Sequence, residues 1–343
     1  MTAADILAIK EPERLFSSDL GTARREFHSL VMDWHPDHNP DLEANVVLAH
    51  INQLYREACK RILEGTWRVH GTLTFHTDDN KTYRIRHYIM FPFELGEVAI
   101  SKRIVTYLVD EAYKDLFEES FRWTDSRSYP YANDKMKIEV ERYLPKRAKI
   151  LCLKDRNIII IEKSPGIVRL RDLVEYFDGR LDPKHVAWII SSIYNLLCYF
   201  DFAKVIHGDI SLDTYFVNPE KHNGALLGGW WYARQEGERL IALPARTVDN
   251  LPLDIWAGKK ADKRIDLSLV RLLGREMLGD ASGASFRTDR SIPQSLSEWL
   301  IYGTSGSALK DYEIWQKVVI PAAFGGRYFT KLDVKPEDIY VNR

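Results

Sequence analysis

Cysteine is scarce: in 343 residues the only thiols are Cys59, Cys152 and Cys198, far apart and without a CxxC spacing. That argues against a zinc site and a secreted disulfide framework, and it points to a reducing compartment. A charge excess is missing too. Forty-eight Lys and Arg stand against 49 Asp and Glu, a formal net charge of -1, so the counterion-release mode that dominates nucleic-acid binding is not signalled. No internal repeat or low-complexity run occurs. The opening residues, MTAADILAIKEPERLF, carry acids early and lack the charged-then-apolar order of a signal peptide, so a cytoplasmic protein is expected. The most apolar long stretch, 186–200, is interrupted by Ser191, Ser192 and Asn195. It reads as too short and too polar to span a bilayer, and a buried helix is expected there with no membrane partner.

What is present is an ordinary globular composition, 45% hydrophobic and 28% charged, long enough for two or three domains. From Leu20 the apolar residues Ala23, Phe27, Leu30, Val31 and Trp34 recur at three- and four-residue steps, the pattern of an amphipathic helix. Val47, Leu48, Ile51, Tyr55, Ala58 and Ile62 form a second such stripe, and the two stripes can close on one another as an antiparallel pair. Between them lies WHPDHNPD, where Pro36 and Pro40 disfavour helix and Asp and Asn can satisfy exposed backbone. A helical hairpin with a polar tip is predicted.

After Gly65 the character changes. TLTFHT, TYRIRHYIMF, EVAIS and IVTYLVD are rich in β-branched and aromatic residues, with DDNK and the segment 91–96 as turns, so an antiparallel sheet is expected. FRWTDSRSYPYAND reads as a linker, 135–143 as a helix, and KILCL and NIIIIEK as strands. Beyond Ser164 the chain turns mostly helical, most clearly at 170–177, 185–202 and 265–277, with a short strand pair near Tyr215 and Ala225.

His35-Pro36-Asp37 at the hairpin tip, preceded by a helix with Arg24 and Arg25 on its polar face and followed by one ending NQLYREACKRIL, resembles the J-domain of DnaJ-type co-chaperones over about residues 10–64. The resemblance implies that His35, Pro36 and Asp37, with Arg24 and Arg25, dock on an ATP-bound Hsp70 and trigger its hydrolysis. The Asp37 carboxylate would pair with a partner arginine through a charge-assisted hydrogen bond. Glu26 and Asp33 make the basic face thinner than the family's usual run.

A second resemblance rests on VIHGDISLDTYFVNPEKHNGALLGGWWYA, residues 205–233, whose histidine, following aspartate and short strand pair have the layout of a kinase catalytic loop and metal-binding loop. IEKSPG would be the hinge, and Asp266 the buried aspartate opening a central helix. The protein-kinase-like resemblance spans about residues 67–343. The parts that neutralise phosphate are largely missing. Thr214 stands where the family has its magnesium-binding asparagine, and Gly229 where it has the metal-loop aspartate. Leu108 takes the strand lysine's place, and FPFELGEV holds only Gly96. Lys102 is a possible substitute lysine, with Glu139 or Glu141 as its helix partner. Asp209 survives, read as an acceptor fixing the loop backbone, and His207 as a packed core histidine. Trp230 and Trp231 either fill the nucleotide's space or form an exposed partner anchor.

These readings together predict an α+β protein: a J-domain-like helical hairpin at 1–66, a kinase-like N-lobe with an antiparallel sheet at 67–163, and a mainly helical C-lobe at 164–343. The expected function is an Hsp70 co-chaperone with a catalytically inactive adaptor module, without metal or cofactor. The alternative is an active phosphotransferase carrying a J-domain, since HGD also resembles aminoglycoside phosphotransferases.

Overall fold

Thr2 and Asp5 cap one another reciprocally and open the short helix α1 (Ala3–Leu7), which buries Ala3 and Ile6. Asp19 then accepts the Thr22 amide at 2.8 Å and starts α2 (Leu20–Trp34). A second long helix, α3 (Ala44–Leu63), follows the proline-bearing loop. The computed structural model of the chain describes residues 2–17, 19–63, 67, 71–77, 81–125, 129–326 and 330–340. Its architecture is α+β, in two compact units, Met1–His87 and Tyr88–Arg343.

The first unit has its own core. Ile6, Ala23, Val47, Ile51 and Ala58 are fully enclosed, and Phe27 stacks on Tyr55 with ring centroids 4.1 Å apart. Both stripes therefore face inward as their spacing requires, although Leu48 and Tyr55 remain half-buried while Ala44 and Leu54 go inside. Arg61 of α3 ties the segment before α2 in place, reaching Glu11 at 2.6 Å and Glu13 at 2.9 Å.

Strands β1 (Thr72–His76) and β2 (Thr82–Arg86) form a two-stranded antiparallel sheet inside this first unit. That corrects the expectation that residue 67 begins the second domain and that TYRIRHYIMF is one strand. The His87 amide bonds back to Gly71, closing the hairpin, whereas the next amide, Tyr88, bonds to Ile100 and begins another sheet. Of residues 64–70, between α3 and the next strand, only Trp67 is among the described residues, and of the DDNK turn only Lys81.

The second unit opens with a five-stranded antiparallel sheet made of β3 (Ile89–Phe93), β4 (Gly96–Ile100), β5 (Ile104–Asp110), β6 (Lys146–Cys152) and β7 (Arg156–Glu162), in the order β3-β4-β5-β7-β6. Helices α4 (Lys114–Thr124) and α5 (Asp134–Glu141) lie between β5 and β6 in the chain. The linker expected at 121–134 thus begins as the last turn of α4. Its buried stripe includes Ser120 and Thr124, whose hydroxyls bond the carbonyls of Phe117 and Ser120, so the apolar period is hidden by two hydroxyl residues.

The remaining chain is mainly helical. Strand β8 (Val168–Arg169) leads into α6 (Leu170–Tyr176), and α7 (Pro183–Ala203) is the central helix, capped by Asp182 on the Lys184 amide. At 21 residues α7 is longer than the stretch read from sequence, and by length and composition it could cross a membrane; 72% of its most apolar window is buried within the protein. Strands β9 (Val205–Ile206), β10 (Tyr215–Asn218) and β11 (Asn223–Leu226) bracket the loop that follows, with β12 (Arg234–Gln235) paired to β9. Helices α8 (Ala245–Val248), α9 (Leu253–Gly258) and α10 (Arg264–Met277) come next, and the last helix is Pro336–Tyr340.

Candidate functional site

Two places gather the residues singled out from sequence. The first is the α2–α3 loop. His35 leaves the helix with extended backbone, φ -70° and ψ 128°, the conformation that a following proline requires. The amides of His38 and Asn39 both donate to the His35 carbonyl, at 2.9 and 2.8 Å. Asn39 ties the loop to the end of α2 by donating to the Asp33 carbonyl at 2.9 Å, and braces the loop itself by accepting the Asp41 amide at 3.0 Å. The tip is therefore a braced turn. His35 Nδ1 accepts the Asp37 amide at 3.2 Å, which leaves the proton of the neutral ring on Nε2. The Asp37 side chain is 78% exposed.

Arg24 and Arg25 are exposed on α2, roughly 15 Å along the helix from its end. Glu26, expected to dilute their charge, is drawn aside: its carboxylate accepts the Ser17 amide at 2.7 Å and the Ser17 hydroxyl.

The second place is a cleft of about 470 Å³ in the second unit, between the β3–β5 face of the sheet and the loop after β9. The loop is held from below by Asp266 near the start of α10, whose two carboxylate oxygens accept the His207 and Gly208 amides, each at 2.8 Å. His207 is fully buried, accepts the Asp209 amide on Nδ1 and donates from Nε2 to the Gly228 carbonyl at 3.0 Å. Burial pushes its ring down to about 3, so it is a neutral, packed histidine as expected. Thr214 turns its hydroxyl inward, donating to the Asp209 carbonyl at 2.6 Å and accepting the Ser211 amide at 3.0 Å.

Asp209 differs from its expected role. The loop amides go to Asp266, and the Asp209 carboxylate lines the cleft instead. Burial pushes it up to about 8, opposed by Arg246 and by a hydrogen bond from the Ser211 side chain, with Glu94 and Asp213 adding to the rise. Directly beneath lies Gly229, at φ +78°, where an added Cβ would come 2.7 Å from His207 Cε1 and 2.9 Å from Asp209 Oδ2. A side chain at position 229 therefore has no room beside His207 and Asp209. Gly229→Asp should lower unfolding free energy by about 2–4 kcal/mol through backbone strain and overpacking, and calorimetry with Mg²⁺ should detect no gain in metal binding.

Leu108, the residue aligned with the strand lysine, does not line the cleft. Side chains alternate along β5, so Tyr107 lines the cleft and Leu108 lies on the other face of the sheet. Lys102 sits in the β4–β5 turn, 63% exposed and 3.9 Å from Glu337, and does not line the cleft. Glu139 and Glu141 pair with Arg142 and Lys137 on the surface of α5. Gly96 is no phosphate cradle, because its missing Cβ makes room for the Leu108 carbonyl across the hairpin.

Both tryptophans are buried, which removes the exposed-anchor alternative. Trp230 donates to the Leu226 carbonyl at 2.9 Å and meets His207 edge to face. Trp231 packs against Phe93 and Tyr107, with centroids 5.2 and 5.0 Å away, and forms one wall of the cleft.

Sequence reasoning missed a network of charges. Arg169 donates to Asp172 and Asp213, Arg171 holds Asp213 with two bonds, and Arg246 holds Glu276 with two. Tyr340 of the last helix donates to Asp172 at 3.0 Å and stacks on Tyr88. VRLRDL carries no sign that its charges will be enclosed, since the partners lie up to 168 residues away. No group of three or more His, Cys, Asp or Glu is placed to hold a metal ion among the described residues. No family model matches this chain, and no curated protein matches it in sequence.

Proposed function

We infer that this protein is a J-domain co-chaperone that stimulates an Hsp70-type ATPase and carries a kinase-like module as an adaptor for a client or partner. The observation that carries this reading is the braced His35-Pro36-Asp37 turn, displayed at the tip of an antiparallel helical hairpin that has its own core. An exposed imidazole and carboxylate fixed by a proline suit recognition of a partner's arginine. Arg24 and Arg25, left uncompensated by Glu26, add an electrostatic docking face that acts mainly on encounter.

The kinase-like reading is supported by the five-stranded antiparallel sheet, the HGD loop anchored on Asp266, and the cleft between them. Catalysis is disfavoured there because Tyr107, Gly229 and Thr214 offer no lysine, metal-loop carboxylate or loop amide, and phosphoryl transfer depends on such groups to neutralise charge. The test is an Hsp70 steady-state ATPase assay with and without this protein, beside thermal unfolding with and without millimolar Mg-ATP. Stimulated hydrolysis with an unmoved unfolding midpoint is the expected pair. A ligand at a hundred times its Kd adds about 2.7 kcal/mol of stability, so a reproducible upward shift would hand the second module to the phosphotransferase reading.

A further inference from the structure

Three guanidinium groups and three acids line the cleft, but two of those acids have no cation as partner among the described residues. Its three guanidinium groups are each committed: Arg169 to Asp172 and Asp213, Arg171 to Asp213, and Arg246 to Glu276. Glu94 and Asp209 are left over. Glu94 accepts the Tyr232 hydroxyl at 3.1 Å, and neither acid has a cation within ion-pair distance among the described residues. Asp209 is only 9% exposed, yet its carboxylate borders the cavity. The wall beside it is aromatic, built from Phe93, Tyr107 and Trp231.

We propose that this cleft binds a small organic ammonium ion, a primary or secondary amine on an apolar body, with its N–H groups on the Asp209 carboxylate and its body against Phe93, Tyr107 and Trp231. The volume of about 470 Å³ is that of a small-molecule site. A charged N–H donor supplies the direct ion-pair partner that no side chain provides, and the aromatic wall favours a cation in the same place. Nucleotide phosphates would instead meet the Glu94 carboxylate and three arginines already engaged.

The same arrangement sets a pH dependence. Asp209 is faced by Glu94 from the β3–β4 turn, by Asp213 in its own loop, by Arg246, and by the hydroxyls of Tyr107 and Tyr232 and the neutral His207 ring. Burial keeps its carboxyl protonated up to about 8. An incoming ammonium must displace that proton at lower pH, so affinity should rise about tenfold per pH unit from 6 towards 8 and then level off.

The experiment is calorimetric titration of the full chain with phenethylamine, and with phenethyl alcohol as the neutral isostere, at pH 6.5 and 8.5. The amine should bind at least tenfold more tightly at pH 8.5 than at 6.5, and at least tenfold more tightly than the alcohol, which should show no pH dependence. Asp209→Asn, checked for an intact unfolding transition, should lose both the amine's advantage and its pH dependence. Should that variant not fold, Glu94→Gln decides, with the amine weakened about threefold at pH 8.5 and the alcohol unchanged. Equal binding of amine and alcohol, an Asp209→Asn variant that still prefers the amine, or no amine binding at 10 mM would overturn the proposal. Each of those results leaves the Hsp70 reading untouched, because the test involves no residue of the first unit.

Discussion

Replacing His35 with glutamine should reduce stimulation of a cognate Hsp70 to the unstimulated rate while leaving the protein folded. The ring contributes one internal hydrogen bond, from the Asp37 amide to Nδ1, and the turn itself is held by the His35 carbonyl and by Asn39, which the substitution does not touch. The core of Ile6, Ala23, Val47, Ile51 and Ala58 lies behind it. A surface change of this kind costs within about 0.5 kcal/mol of stability, so matched unfolding curves are expected. Glutamine can still donate a hydrogen bond but has neither the ring nor its fixed Nε2–H direction. Loss of stimulation at matched folding therefore reports recognition. Equal stimulation by the wild type and the variant would falsify the co-chaperone reading.

Asp266→Ala should cost about 3–5 kcal/mol of unfolding free energy, the largest stability effect expected from one substitution in the second unit. It strands two buried amides, His207 and Gly208, each worth about 1–3 kcal/mol when left unpaired. Burial pushes the Asp266 carboxyl up to about 6 against the pull of those two amides. A raised native value means that the stability linked to its titration is present below about pH 4 and lost as pH climbs through about 6. The gap between wild type and variant should therefore narrow between pH 4 and pH 6.5. Denaturant unfolding at both values checks it, and a cost below 1 kcal/mol at pH 4 would mean that Asp266 is not what holds the loop.

Both effects concern residues that the sequence singled out, yet for different reasons. His35, Pro36 and Asp37 were legible because their setting is local. Helical period on either side, proline in the turn and Asn and Asp able to bond nearby backbone are all written within about 45 residues, and the folded turn uses those same bonds. The strands around IVTYLVD and NIIIIEK were legible likewise, since β-branched runs have few alternatives to a sheet. The arrangement in the second unit was less so. Aligning the lysine position on Leu108 missed the cleft by one residue, and with side chains alternating along a strand one residue is the difference between the two faces of a sheet.

By itself, then, the sequence determined the elements: the paired helices and their tip, the strand segments and the apolar central helix. These depend on spacing within single elements. Tertiary structure alone decided what met what. It assigned β1 and β2 to the first unit by turning two neighbouring amides to different partners, placed Tyr107 and Trp231 together in the cleft wall, and left Asp209 without a cation by engaging every arginine around it elsewhere. The physical reason is separation along the chain. Asp266 reaches His207 across 59 residues and Tyr340 reaches Asp172 across 168, and such pairings follow from how whole elements pack, which no local period or spacing encodes.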